Sequence, residues 1–209
     1  MIFYDVKTAP SPRRVRIFLA EKKINVEVIQ VNTAEGEHLK EDFLKLNPWA
    51  TVPVLKLDDG TCISEAIACC RYLEEVYPNP PLMGVDPSEK AIISMWEHRM
   101  EWDGFLPVAE LFRNTAERLK NRGLTGTLNF NQIPALAERG KKRIAHFHNF
   151  LNKRLAESRF VATNKYSIAD ITAQVSIDFA QRAGVSIPED KKNILRWHSD
   201  VNSRESAES

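Results

Sequence analysis

Thr51-Val52-Pro53-Val54-Leu55 is the peptide with the clearest chemical content, because a proline inside an apolar, β-rich run cannot donate to a sheet ladder. Such a proline stands at an edge, at a bulge or after a cis bond. If the Val52–Pro53 bond is cis, the N–H and C=O of Val52 face outward and can pair with an extended peptide ligand as one more short strand. The plainer alternative is the start of an edge strand. Ser64-Glu65-Ala66 precedes a helical run, where free N–H groups and the positive end of the helix dipole welcome a carboxylate. An amino-acid head group needs an anion site and an acceptor for its ammonium; the Ala66 N–H with its neighbours, and Glu65, offer one of each. Here too a plainer reading stands, with Ser64 capping the helix and Glu65 complementing the dipole. Thr8-Ala9-Pro10-Ser11-Pro12 leads into the first helix, and Ser11 ahead of Pro12 carries the signature of an N-cap followed by a first-position proline. A thiolate placed there would have its pKa lowered by the dipole and by any hydroxyl donating to it, which makes Ser11 and Thr8 candidate catalytic groups.

Other chemistries find little support. Cys62, Cys69 and Cys70 form no C-x-x-C pair, and the five histidines are scattered, so neither a disulfide framework nor a metal site is indicated. His146 and His148, two apart in a helical stretch, point in different directions. With 29 basic and 28 acidic residues the chain has no field that would gather nucleic acid. No stretch approaches the roughly 20 apolar residues that cross a bilayer, and no apolar leader follows a basic start. The expectation is a soluble, cytoplasmic protein that binds neither nucleic acid nor membrane.

The elements that must hold these residues change character along the chain. Ile2–Val6 and Val26–Val31 have strand composition, and Pro12–Lys23 between them sets Val15, Phe18 and Leu19 on one helical face. Thr51–Leu57, Asp58-Asp59-Gly60-Thr61 and Cys62-Ile63 spell a hairpin whose Asp-Gly supplies the positive φ of a tight turn, and a helix runs from Ser64 to Tyr77. Prolines 78, 80, 81 and 87 mark a linker over 79–87 between a domain at 1–78 and another at 88–209. Beyond it the pattern is helical. Ile92, Met95, Trp96, Arg99 and Met100 begin a long helix that Gly104 and Pro107 should kink, and Ile144, Phe147, Leu151 and Leu155 mark a second. Ser167, with Asp170 three residues on, opens a third. The fold expected is a small α/β domain ordered βαβ-α-ββα, followed by an all-α helical bundle.

Taken in order, Arg14-Val15-Arg16-Ile17, Gly36-Glu37-His38-Leu39, Asn47-Pro48, Val52-Pro53, Ser64-Glu65, Tyr72-Leu73, Ser167-Ile168-Ala169-Asp170 and Trp197 resemble the soluble glutathione transferase family over nearly the whole chain. The resemblance implies a thioredoxin-like N-terminal domain, glutathione as co-substrate with no metal, and a homodimer. It assigns Val52 to the cysteinyl backbone of glutathione beside a cis Pro53, and Glu65 with Ala66 to the γ-glutamyl group. His38 matches the position that reaches the glycyl carboxylate in theta- and delta-like members, with Lys40 close enough to assist. The electrophile pocket it implies lies between the first-helix loop and the kinked helix, walled by Trp102, Phe105, Leu106, Val108, Ala109 and Phe112, with Arg99 and Arg113 as polar contacts.

The sequence departs from that family at informative places. Seven residues before Arg16, where serine-type members carry the hydroxyl that stabilises the thiolate, stands Ala9. The cysteine of the thiol-reductase branches would fall at Pro10, so a mixed-disulfide mechanism has no obvious nucleophile. Ala66 and Ala50 each remove one contact to glutathione. A yeast and bacterial branch of the family shares the missing hydroxyl and is thought to activate the thiol through bound water and the helix terminus. The activity expected is conjugation of glutathione to small hydrophobic electrophiles, with peroxidase chemistry as a side activity. The alternative is a non-catalytic glutathione-binding module. The short polar tail from Ser203 suggests an open cleft for the electrophile.

Overall fold

The computed structural model describes residues 1–209 and divides into two units, one comprising Met1–Pro80 with Leu124–Asn129 and Ser209, the other Pro81–Gly123 and Phe130–Glu208. The first unit is built on strands β1 (Ile2–Asp5), β2 (Glu27–Gln30), β3 (Val54–Lys56) and β4 (Cys62–Ser64), in spatial order β2-β1-β3-β4. β1 runs parallel to β2 and antiparallel to β3, and β3 is antiparallel to β4. Alternation along the strands splits the core into two layers. Phe3 and Leu55 are opposed in register and fully buried, as are Val15 and Phe18 of helix α1 (Pro10–Glu21) and Cys69, Cys70 and Leu73 of helix α3 (Ala66–Val76). Tyr4 and Val54, also opposed, cluster instead with Val31 and with Phe43 of the short helix α2 (Glu41–Leu44); Tyr4 and Phe43 meet edge-on with ring centres 6.4 Å apart.

Two helix starts differ from the sequence expectation. α1 begins at Pro10 with Ala9 as its N-cap, so Ser11 lies inside the first turn and caps nothing. Both prolines fit there because the first-turn N–H groups have no intrahelical partner to lose. Ser64 is the last residue of β4, and Glu65 holds the N-cap position of α3.

The second unit is helical: α4 (Pro87–Arg99), α5 (Leu106–Arg113), α6 (Pro134–Glu157), α7 (Ile168–Arg182) and α8 (Lys192–Asn202). α7 is buried on every side from Ile168 to Ile177, as the central helix of a bundle must be. The expected acid return at its start is present: the Asp170 carboxylate accepts from the Ser167 N–H at 3.1 Å and its hydroxyl at 3.2 Å. It also accepts from the Trp197 indole at 2.9 Å, joining α8 to α7. The expected kink takes another form. Met100–Phe105 is a π-helical turn joining α4 to α5, and Pro107 falls in the first turn of α5, where its missing N–H is tolerated. Gly104 is small for packing, since a β-carbon there would come within 2.7 Å of the Phe147 ring.

Candidate functional site

The strand register decides which connections can meet. Asp5 at the end of β1 faces Gln30 at the end of β2; Tyr4 faces Val54 at the start of β3; Val54 faces Ser64 at the end of β4. The segments after β1, after β2, before β3 and after β4 therefore all leave the sheet at the same end. They carry Thr8 and Ser11, His38 and Lys40, Val52 and Pro53, and Glu65 and Ala66 respectively.

Side-chain hydrogen bonds fix each connection. After β1, the Arg16 guanidinium donates to the buried Asp5 carboxylate at 2.5 Å and to the Lys7 carbonyl at 2.9 Å, while Gln30 donates to Asp5 at 2.7 Å and accepts from the Lys7 N–H at 2.9 Å. This brace delivers the exposed Thr8 and the half-buried Ser11. Because Pro10 and Pro12 have no N–H, Ser11 and Arg13 supply the only backbone donors in the first four residues of α1. The Arg14 guanidinium donates to the Ser11 Oγ at 3.0 Å.

After β2, Asn32 accepts from the Glu35 N–H, and its own N–H donates to the Glu37 carboxylate at 2.6 Å, across Gly36 at φ +71°. Glu37–Leu39 then forms a 3₁₀ turn that carries the half-buried His38, followed by the exposed Lys40.

Before β3, Asn47 organises the turn. Its amide donates to the Thr51 carbonyl at 2.8 Å and hydroxyl at 3.0 Å, while its side-chain oxygen accepts from the Trp49 N–H. Ala50, buried at φ +54°, turns the chain so that Val52 arrives ahead of Pro53. The Val52–Pro53 bond is cis, and neither backbone group of Val52 finds a hydrogen-bond partner in the chain. After β4, Glu65 stands at φ +70°, ψ 127°, a region costly for any residue with a β-carbon, on the order of 1–3 kcal/mol. Its side chain is exposed and makes no capping bond, so the N–H groups that open α3 have no side-chain partner there. One end of the sheet thus offers an unpaired strand edge, a helix start open to a carboxylate and an outward acid, which is what an extended peptide with an amino-acid head requires.

The residues expected to wall an electrophile pocket divide between environments. Phe105 and Phe112 pack against Phe179 with ring centres 5.8 and 5.3 Å away. Trp102 is half exposed, stacked on His98 at 6.3 Å and overlaid by the Arg143 guanidinium at 5.8 Å. Leu106 is partly exposed, Ala109 half-buried and Val108 buried. The expected polar contacts have partners of their own: Arg99 lies 3.4 Å from Asp103, and Arg113 donates to the Arg122 carbonyl at 2.6 Å. No group of three or more His, Cys, Asp or Glu is placed to hold a metal ion.

Residues 8–76 match the family model for the glutathione S-transferase N-terminal domain, and residues 113–205 that for the glutathione S-transferase C-terminal domain. The chain belongs to the glutathione S-transferase family. It is 34% identical over 208 residues to glutathione S-transferase 2 of Saccharomyces cerevisiae, covering 99% of this chain and 87% of the relative. The crystal structure of a glutathione S-transferase domain-containing protein from Marinobacter aquaeolei superposes with a TM-score of 0.90 at 39% identity, covering 99% of each chain. That of Gtt2 from Saccharomyces cerevisiae gives 0.90 at 32% identity, over 100% of this chain and 99% of the other.

This glutathione transferase has a thioredoxin-like first unit and a helical second one, and no helix long and apolar enough to cross a membrane. At the start of α1 it places the side chain of Ala9, and the Ala9 N–H is engaged by the Val6 carbonyl at 2.8 Å. Two supports of this end of the sheet escape sequence reading, the Arg16–Asp5–Gln30 brace and the Asn47 turn. Arg16 and Asn47 stand within the family-like Arg-Val-Arg and Asn-Pro peptides, but only the fold shows what they hold.

Proposed function

We propose that this transferase conjugates glutathione to small hydrophobic electrophiles, and that glutathione lies along the shared end of the sheet. The observation that carries the reading is the convergence there of the unpaired Val52 edge, the strained Glu65 and the open start of α3. In this reading Val52 pairs with the cysteinyl backbone, Pro53 shapes its approach, Glu65 takes the γ-glutamyl ammonium, and the Ala66 N–H with its neighbours takes the carboxylate. His38 and Lys40 reach the glycyl end.

The cysteinyl sulfur then meets the start of α1. With no side-chain hydroxyl at Ala9, the Ser11 hydroxyl, or a water held by Ser11 and Thr8, donates to the thiolate. Lowering a thiol pKa from about 8.5 to about 6.5 requires roughly 2.7 kcal/mol, within reach of one strong donor plus a helix terminus. The thiol proton leaves to water. The thiolate forms a carbon–sulfur bond, and the electron pair departs with a leaving group, or reaches a carbon that is then protonated. The protein contributes binding, thiol activation and proximity. Trp102, Phe105, Leu106, Ala109 and Phe112 are the proposed source of contacts to the electrophile. As a side activity, attack on an organic hydroperoxide needs no further protein nucleophile: the thiolate sulfur takes the terminal oxygen, the O–O bond breaks, the alkoxide leaves and is protonated to the alcohol, and a second glutathione thiol reduces the sulfenic acid to glutathione disulfide and water. We further propose a homodimer working in a reducing cytoplasm, kin to yeast and bacterial members that lack the first-loop hydroxyl.

Ala9, Ala50 and Ala66 favour a second reading, a glutathione-binding module without turnover. Calorimetric titration with glutathione, followed in the same sample by thiolate absorbance against pH, separates the two. Binding with a bound-thiol pKa well below about 8.5 supports the enzyme, and binding without a shift supports the module. Absence of binding at millimolar glutathione overturns both.

A further inference from the structure

We infer that Arg14 is a positioning residue that makes the Ser11 hydroxyl an outward-facing hydrogen-bond donor for the glutathione thiolate. The inference rests on the reading that Ser11 activates the thiol. It starts from hydrogen-bond valence. A serine hydroxyl has one proton and two lone pairs, whereas a guanidinium only donates. The Arg14 Nη2 donates to the Ser11 Oγ at 3.0 Å, so that contact consumes a lone pair and the serine proton must point elsewhere. Ser11 donates to no acceptor in the chain. The carbonyl four residues earlier, the usual local acceptor for a helical serine, is that of Lys7; it accepts from Arg16 at 2.9 Å and receives no bond from Ser11.

The proton is left for something outside the chain. Donation from a cation also polarises the hydroxyl, making it a stronger donor than a serine bonded to a neutral group. Arg14 is only 2% exposed, so it acts through the residue it holds rather than by touching substrate. The surrounding sequence makes one good hydroxyl count for more. Pro10, Pro12 and Ala9 give the start of α1 a dipole with few free donors, since two N–H groups are missing and the Ala9 N–H is engaged by Val6. Other charged or titratable groups of these connections are Asp5, Lys7, Arg13, Arg16, Glu35, Glu37, His38, Lys40 and Glu65; Asp5 and Arg16 are paired with each other.

The test compares wild type, Ser11→Ala, Arg14→Gln, Arg14→Lys and Ser11→Ala/Arg14→Gln. For each, the pKa of bound glutathione is read from thiolate absorbance, alongside glutathione affinity, melting temperature, and kcat and KM with an activated aryl halide across pH. Ser11→Ala and Arg14→Gln are each expected to raise the bound-thiol pKa by about one, cutting kcat about fivefold near pH 6.5 with recovery as the pH approaches 8.5. In the Ser11→Ala background, Arg14→Gln should add nothing. If Ser11→Ala shifts the pKa and Arg14→Gln does not, the inference is overturned while the reading of Ser11 stands. An equal Arg14→Gln shift with and without Ser11 also overturns it, because the charge then acts independently of the hydroxyl. If Ser11→Ala changes nothing, the Ser11 reading and the inference fall together. Should Arg14→Gln not fold, Arg14→Lys carries the test: a smaller rise that depends on Ser11 supports the inference, and no rise overturns it.

Discussion

The Lys22 ammonium lies 2.7 Å from the Glu74 carboxylate, enclosed where the end of α1 meets the end of α3. It also donates to the carbonyls of Tyr77 at 2.6 Å and Pro80 at 2.8 Å. A single charge thus holds two helices and the chain that leaves α3. A buried charge stripped of its partner is more costly than the pair is stabilising. Lys22→Met should therefore destabilise the protein by about 3–5 kcal/mol, and Lys22→Met/Glu74→Leu should recover much of that loss. Urea unfolding of the two variants checks both halves; a double variant no better than the single one would show that the two carbonyls, not Glu74, dominate the cost.

Asp170 gives a pH dependence with a definite sign. Burial is the largest influence and pushes its carboxyl from 3.8 to about 6, against the four hydrogen bonds that favour its charge. A raised pKa means that the fold prefers the neutral form. The stability from this group is fully present below about 3.8 and is lost as the pH rises through about 6, on the order of 3 kcal/mol in all. Asp170→Asn cannot titrate and turns amide protons toward donors, so it should be less stable throughout. The gap between wild type and variant should narrow from pH 4 to pH 7. Unfolding free energies at four pH values measure it, and a gap that widens with pH would show that the donors outweigh burial.

Glu65 couples strain to binding. Glycine has no β-carbon to clash at φ +70°, so Glu65→Gly should relieve strain by about 1 kcal/mol, partly offset by the added freedom of the unfolded chain. The same change removes the proposed ammonium acceptor and should weaken glutathione binding about tenfold or more. Melting temperature and calorimetry on one sample test the trade. A variant that binds as tightly as wild type would remove Glu65 from the site.

The cysteines should react in a set order. Burial pushes the Cys69 thiol up to about 12, so it stays protonated and inert at neutral pH. Cys70 is also fully buried, while Cys62 is half-exposed in β4. Iodoacetamide at pH 8 should label Cys62 in the native protein, and Cys69 and Cys70 only after unfolding, as mass spectrometry of the peptides would show. Early labelling of Cys69 would reveal local opening of α3.

Sequence reading reached the elements whose signals are local. Pro53 announced an exceptional backbone site because it lacks an N–H, but choosing among edge, bulge and cis bond required the Asn47 turn and Ala50 at positive φ. Glu65 was legible as an acid near a helix start. Its role as the strained N-cap was not, since nothing local marks a glutamate for positive φ. Ser11-Pro12 misled because Pro10 also satisfies a first-turn position and begins the helix two residues earlier. Lys22 with Glu74 and Arg16 with Asp5 are contacts of tertiary origin with no periodic trace. The aromatic wall comes from the resemblance, on a helix expected to kink at Gly104 and Pro107; a π turn winds wider than an α-helix, and Trp102 and Phe105 stand in different surroundings.

That turn has a consequence for how the transferase can diverge. A π turn closes with i→i+5 bonds and so takes one more residue than an α turn for about the same rotation; deleting one residue between Met100 and Phe105 would restore ordinary helix while leaving α4 and α5 aligned as they are. Ile92 and Met95 would stay exposed on α4 and Phe112 would stay against Phe179, and only the side chains of the turn itself would be re-aimed. The turn behaves as a length buffer in the chain. A chain can lose one residue there by exchanging the π turn for an α turn, with the helix surfaces on either side kept in register.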